Sequence, residues 1–302
     1  MTINFRRYKA LADFMLIHNF LSDTYTFETL NGGLVPPYFE FGHTHRLFNY
    51  HITHHFGIWE DGKQVVGFVC YGMYPGEYPG RVHLHVRKGY ERLLPEILNY
   101  AEKQMYRVVD GRRQLGVWTT SGQSDLKMLL ASRCYKCETT EPCMVFNYEK
   151  GFREVILPKG FTIINAHNVD YEKLHACFWQ SFEGKNDPAN NYDCRIHMWN
   201  TPNTQLDLNT VVTAPNGEYA AALGMWLDIK NNYAYLEPLG VSQQYQGKGI
   251  GTAILTYAMQ KTEERGAKYC FGSKGKFYES LGFEVCGMRE LWVKPYELPA
   301  ED

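Results

Sequence analysis

The segment Tyr235–Leu255, YLEPLGVSQQYQGKGIGTAIL, leads from an extended run into a helical one through a loop that holds Gly247, Gly249 and Gly251. Beyond the loop Ile250, Ala253, Ile254, Tyr257 and Ala258 recur at helical spacing, and Gly266 follows as a helix stop. Glycines let the backbone come close to a ligand, and the first free N–H groups of the helix point with its positive dipole end toward any bound phosphate. The segment therefore has the properties of a pyrophosphate cradle. It is not a Walker A loop, because Gly240 lies seven positions before Gly247 and Lys248 is followed by Gly249 where a metal-binding hydroxyl is required. Nor is it a dinucleotide fingerprint, since the spacing is G-x-G-x-G and only about fifty residues remain downstream.

Working outward, residues 209–214 read as a strand, Pro215-Asn216-Gly217 as a hairpin turn, 219–228 as a second strand and 233–237 as a third. After the helix come a strand at 269–271, a short helix at 277–281 stopped by Gly282, and a closing pair of strands at 283–286 and 291–293. The order is β-β-β-α-β-α-β-β.

The first half repeats that order in weaker form. Strands are expected at 56–60, 64–73, 81–86 and 115–119, with helices at 91–104 and 125–131, and Ile97-Leu98-Asn99-Tyr100-Ala101 echoes Ile254-Leu255-Thr256-Tyr257-Ala258. From Val86 to Ile97 is 11 positions, against 13 from Val241 to Ile254, and the intervening RKGYERLLP holds one glycine. The first copy thus lacks the glycine loop. The chain of 302 residues suits two domains, residues 1–150 and 151–302, joined by GFREVILPKGF, whose alternating Phe152, Val155 and Leu157 suggest an ordered linker strand at about 151–160.

Leu239-Gly240-Val241 followed by Gln246-x-x-Gly249-x-Gly251, with FYESLGF downstream, resembles the GNAT superfamily of N-acetyltransferases, whose central motif is [QR]-x-x-G-x-[GA]. The resemblance implies an α/β fold of two GNAT-like domains, each a mixed, largely antiparallel central sheet flanked by helices, with a degenerate N-terminal copy. It also implies acetyl-CoA as co-substrate, the backbone of Leu239, Gly240 and Val241 pairing with the pantetheine arm, and Gln246, Gly247, Lys248, Gly249, Ile250, Gly251 and Thr252 cradling the pyrophosphate. Pro238 cannot donate a ladder hydrogen bond and suits the gap that the family opens between two strands. One position departs from the pattern: many members carry an asparagine seven residues before the tyrosine of the second motif, and Phe271 stands there.

By the same resemblance Tyr278 is the general acid that protonates the departing thiolate; the alternative is a core tyrosine. In the first copy Leu130 stands at the matching place. Glu237 ends the strand that faces the acetyl group, where it either accepts the amine proton or anchors a cationic acceptor. The segment FWQSFEGKNDPANNYDCRIHMW supplies Trp179, Phe182, Glu183 and Tyr192, which with Trp226 are candidates to line the acceptor pocket.

Lys+Arg 31 against Asp+Glu 33, with no long run of one sign, argues against nucleic acid as a partner. The N-terminus, MTINFRRYKALADFMLIHNF, interrupts its apolar residues with charges and reads as an amphipathic helix instead of a signal peptide. With no apolar run of membrane-spanning length, and with eight scattered cysteines expected to be reduced, the expected location is the cytoplasm. Five histidines between His43 and His55, and Cys134, Cys137 and Cys143, have ligand-compatible spacing but lack the two matched pairs of a structural zinc site, so no metal is expected. The expected protein is a monomeric or homodimeric acetyltransferase acting on the amine of a small molecule. The alternatives are a non-catalytic acyl-CoA-binding protein and an enzyme acting on a protein or peptide amine.

Overall fold

Pairing between strands, more than their order along the chain, decides how this protein divides. The computed structural model describes residues 3–45, 48–73, 76–182 and 193–296. One unit comprises Met1–Cys143 together with Cys286–Asp302, and the other comprises Met144–Val285.

The first unit contains β1 (Ile3–Arg7), α1 (Ala10–Thr24), a 3-10 turn at Leu30–Gly33, α2 (Pro36–Thr44), β2 (Gly57–Asp61), β3 (Gln64–Tyr71), β4 (Arg81–Val86), α3 (Leu94–Gln104), β5 (Arg107–Val109), β6 (Arg112–Thr120) and α4 (Ser124–Ser132). Strand β7 (Lys136–Asn147) begins in this unit and ends in the second, which continues with β8 (Thr162–Asn165), α5 (Tyr171–Phe182), α6 (Asp193–Met198), β9 (Thr210–Thr213), β10 (Tyr219–Asp228), β11 (Tyr233–Val241), α7 (Ile250–Glu263), β12 (Tyr269–Gly272) and α8 (Lys276–Leu281). Strand β13 (Glu284–Tyr296) starts in the second unit and returns to the first.

The sheet of the first unit has the order β1-β2-β3-β4-β6-β13 and that of the second β8-β9-β10-β11-β12-β7. In each, one inner pair is parallel, β4 with β6 and β11 with β12, and the other described pairs are antiparallel. The two units share one topology, and each borrows its last strand. Met144–Asn147 pair with Tyr269–Gly272 and bury Met144 and Phe146 in the second core, while Arg289–Tyr296 pair with Arg113–Thr120 and bury Leu291 and Val293 against Trp118.

Three expectations are corrected. The N-terminus is not helical from its start, because Phe5 packs on Trp59 and Tyr100 while Arg6 binds Asp13 and Glu60, which seats residues 3–7 as an edge strand. The closing pair is one continuous strand, since the charges that interrupt its apolar pattern are satisfied: Arg289 by Glu77, and Glu290 by Lys127 and Trp292. The linker forms no strand; Phe152 instead stacks on Phe146 and meets Tyr148 edge-on, anchored by its ring without a ladder. The two compact units meet in the chain at 143/144, and residues 286–302 belong to the first.

Helix α7 packs Ile250, Ile254, Leu255, Ala258 and Met259 into the second core, and its N-terminal turn follows the C-terminal end of β11. Among the described residues no helix is long and apolar enough to cross a membrane.

Candidate active site

Strands β11 and β12 run side by side from Tyr233↔Tyr269 to Tyr235↔Phe271, where their pairing ends. On its other edge β11 continues along β10 to Val241↔Ala221. Residues 236–241 therefore turn one backbone edge away from β12. The β10 register shifts between Leu223↔Leu239 and Met225↔Leu236, so that β11 carries one extra residue at Glu237-Pro238. The place opposite this bulge is Gly224, where a Cβ would stand 2.5 Å from the Glu237 carbonyl oxygen. Trp226, buried beside it, donates its indole N–H to that oxygen at 3.0 Å.

The loop after β11 makes a 3-10 turn at Gln243–Tyr245 and then passes through Gly247 and Gly249, both in the left-handed region at φ +74° and +77°. A Cβ at either would meet nothing within 4 Å, so the glycines serve the backbone's conformation and leave open space above it. Gly249 caps α7, and the first intrahelical bond is Ala253 N–H to its carbonyl at 3.0 Å. The N–H groups of Ile250, Gly251 and Thr252 precede that bond and are not used by the helix ladder. Gln246 donates to the Val241 carbonyl at 3.1 Å, tying the loop to the strand, and the Lys248 ammonium lies over the Tyr245 ring.

A cleft of about 570 Å³ joins these parts. It is lined by Leu239, Gly240 and Val241 of the freed strand edge, by Gln246, Gly247, Gly249, Ile250, Gly251 and Thr252 of the loop and first helical turn, and by Tyr278 of α8. Ser181, Phe182, Tyr245 and Phe277 complete it. Of these, Phe182 was expected at the acceptor pocket, and Ser181, Tyr245 and Phe277 were missed although the last two adjoin Gln246 and Tyr278 in sequence. A Cβ at Gly251 would stand 3.3 Å from the Val241 side chain and 3.4 Å from that of Phe277, a tight fit that either neighbour would have to yield to.

Tyr278 is partly buried, with its ring edge-on to Phe283. Burial raises its pKa above the ordinary phenol value, and the charges of Glu237 and then Cys270 raise it further. It is a protonated hydroxyl through the physiological range, within the electrostatic reach of a carboxylate.

Other expected residues lie elsewhere. Trp179 is half-buried on α5 beside His175, and neither it nor Glu237, Lys248 or Trp226 is among the residues lining the cleft. Glu183 and Tyr192 lie outside the described residues. Phe271, where the family often has asparagine, is buried against Tyr233 and Tyr269. Among the described residues no three His, Cys, Asp or Glu side chains are grouped to hold a metal ion. His43 uses Nδ1 on the Phe39 carbonyl at 2.7 Å, a packing role within α2.

Residues 208–285 match the family model for the acetyltransferase (GNAT) domain. The splayed strand, glycine loop and α8 tyrosine all fall inside that match, so this segment of the second unit is similar to the GNAT acetyltransferase domain. No curated protein matches the sequence significantly. Among solved structures the chain is similar to a GCN5-related N-acetyltransferase from Sphaerobacter thermophilus, at 12% identity and a TM-score of 0.57 over 99% of this chain and 98% of that one. It is also similar to a GNAT-family acetyltransferase from Colwellia psychrerythraea, at 12% identity and 0.57 over 97% and 100%. A tandem GNAT protein from the clavulanic acid biosynthesis pathway matches at 12% identity and 0.55 over 97% and 98%. At this identity the likeness is one of fold, and it spans both units.

Proposed function

We propose that the second unit transfers an acetyl group from acetyl-CoA directly to the amine of a small molecule. The observation that carries this reading is the single cleft in which a strand edge freed from its neighbour, a helix N-terminus behind two left-handed glycines, and a protonated tyrosine are adjacent.

The fit to an acyl-CoA is chemical. Ile250, Gly251 and Thr252 offer N–H groups and the positive end of α7 to a diphosphate, and the open space over Gly247 and Gly249 admits it. The backbone of Leu239–Val241 offers hydrogen bonds to an amide-bearing arm. Acetyl transfer forms a C–N bond and breaks a C–S bond, so one proton must leave the amine and one must reach the sulfur. Glu237 is the acceptor of the first and Tyr278 the donor of the second. Their charges couple: once Glu237 holds a proton, its contribution to the raised Tyr278 pKa is gone while that of burial, the larger cause, remains, and the phenol becomes a somewhat stronger acid at the step where it is needed.

The first unit is the degenerate copy in this reading, with Leu130 on α4 at the place that Tyr278 holds on α8. The test is thiol release from acetyl-CoA across a panel of small amines, with calorimetry of CoA binding. The expected result is turnover with at least one amine and one CoA site per chain, abolished by Gly249→Glu, which places a carboxylate at the helix N-terminus. CoA binding without turnover on any amine, peptide amines included, would mean a binding protein, and two equivalent CoA sites would reject the degenerate copy.

A further inference from the structure

The first unit keeps a cleft at the corresponding place in its own sheet. Strands β4 and β6 pair from Arg81↔Gly116 to His83↔Trp118 and no further, so residues 84–86 leave β6 as residues 236–241 leave β12. Beyond the splay lies a cleft of about 300 Å³ whose lining includes Asn31, Leu84, His85, Lys88, Glu91 and Asp125.

Its chemistry is the reverse of a phosphate cradle. In the loop before α3 the Glu91 carboxylate accepts the Gly89 N–H at 2.9 Å, so a carboxylate of the chain itself takes the place an anion would need. Pro95, in the first turn of α3, has no N–H to offer. Glu91 and Asp125 at the mouth repel a diphosphate and attract a cation, with Lys88 the one opposing charge among the described lining residues.

His85 gives the cleft its interior polar group. It lines the cleft while only 5% exposed, and its Nε2 has no hydrogen-bond partner among the described residues. Burial pushes its pKa down to about 3, so the ring is neutral and one nitrogen accepts hydrogen bonds. A buried polar nitrogen left without a partner carries a free-energy cost that a ligand's donor relieves. The side-chain oxygens of Asn31, Glu91 and Asp125 are acceptors as well, which favours a ligand rich in N–H groups.

We propose that this cleft binds a small organic ammonium, a compact primary amine whose charge is met by Glu91 and Asp125 and whose second donor reaches His85. The volume lies at the lower end of the range for ligand pockets and limits the occupant to a compact molecule. This site is separate from the acetyl-transfer reading and stands or falls without it.

The probes are 2-aminoethanol and 1,4-diaminobutane, with ethane-1,2-diol and butane-1,4-diol as uncharged counterparts, titrated into the full chain by calorimetry and by NMR of ring-labelled histidine. The amines are expected to bind saturably and to move one histidine resonance, the one missing in His85→Gln. The diols should bind at least about tenfold more weakly, and Glu91→Gln with Asp125→Asn should weaken the amines roughly three- to tenfold. Gly249→Glu should leave this binding unchanged. Absence of saturable binding, equal binding of the diols, or loss of binding in Gly249→Glu would overturn the assignment. If His85→Gln does not fold, the variants of the half-buried Glu91 and the exposed Asp125 decide by themselves.

Discussion

Trp226 donates its indole N–H to the backbone carbonyl of Glu237, across a bulge that Gly224 alone leaves room for. The direction of the Glu237 side chain thus depends on a neighbour eleven residues earlier on the adjacent strand. Trp226→Phe replaces the buried indole with a smaller phenyl ring and removes the donor. The expected loss is about 0.5–1.5 kcal/mol of stability for the hydrogen bond plus the cost of the vacated volume, read by chemical denaturation, together with a lower kcat and unchanged CoA affinity. Wild-type stability and turnover in this variant would show that the bulge holds without the indole.

Tyr278→Phe removes one hydroxyl from a ring held by Phe283. CoA affinity should persist while turnover falls by the order of 10²–10⁴ typical of lost acid–base catalysis. An unchanged rate would return Tyr278 to a packing role.

Glu237→Gln removes the charge that adds to the raised Tyr278 pKa, while burial, the larger cause, remains. The Tyr278 pKa should therefore fall yet stay above the ordinary value of about 10, as read by alkaline titration of ring-labelled tyrosine. A fall in kcat with a flattened acidic limb of the pH profile marks Glu237 as the base; a raised KM with kcat unaltered marks it as an anchor for the acceptor.

His83 and His85 are buried side by side on β4, and burial holds His83 well below its ordinary pKa and His85 at about 3. Unfolded, both titrate near about 6.5, so below that pH the unfolded chain binds more protons than the folded one. Stability contributed by the neutral rings is present above pH ~6.5 and lost as the pH falls toward about 3, at about 1.4 kcal/mol per pH unit for each ring. Denaturation at pH 7.5 and pH 5 measures the slope. His85→Gln should flatten it, and an unaltered slope would exclude His85 as its source.

Deleting residues 286–302 removes most of β13, which is adjacent in sequence to the second unit and paired with the first. The loss should therefore appear in the first unit: amides of β4 and β6 lose protection from hydrogen exchange while those of β10, β11 and α7 keep theirs. The opposite pattern would reject the division between the units.

Much of the candidate site was legible because its constraints are local. Gly247 and Gly249 stand where the backbone turns left-handed, the apolar spacing of Ile250, Ala253 and Ile254 marks the helix they cap, and Asp61-Gly62 and Pro215-Asn216-Gly217 mark the hairpins, all within a few residues of one another. Such signals need no distant partner to take effect. The alternation of Arg81-Val82-His83-Leu84-His85-Val86 likewise marks a strand, yet it is silent on whether its histidines face water or core.

Residue patterns alone were enough for the strands, turns and helices of the repeated order as far as its closing pair, and for the glycine loop that distinguishes one copy from the other. Which edge each strand joins was fixed by packing between distant segments. Backbone ladders carry no residue code, so β7 and β13 satisfy the same hydrogen bonds in either sheet, and their exchange is set by where Phe146, Leu291 and Val293 find apolar surface. The bulge at Glu237, the single strand running through Arg289 and Glu290, and the buried His85 have the same origin. Each rests on a partner far away in sequence, or on enclosure by such partners, and no local pattern of residues records where those partners will be.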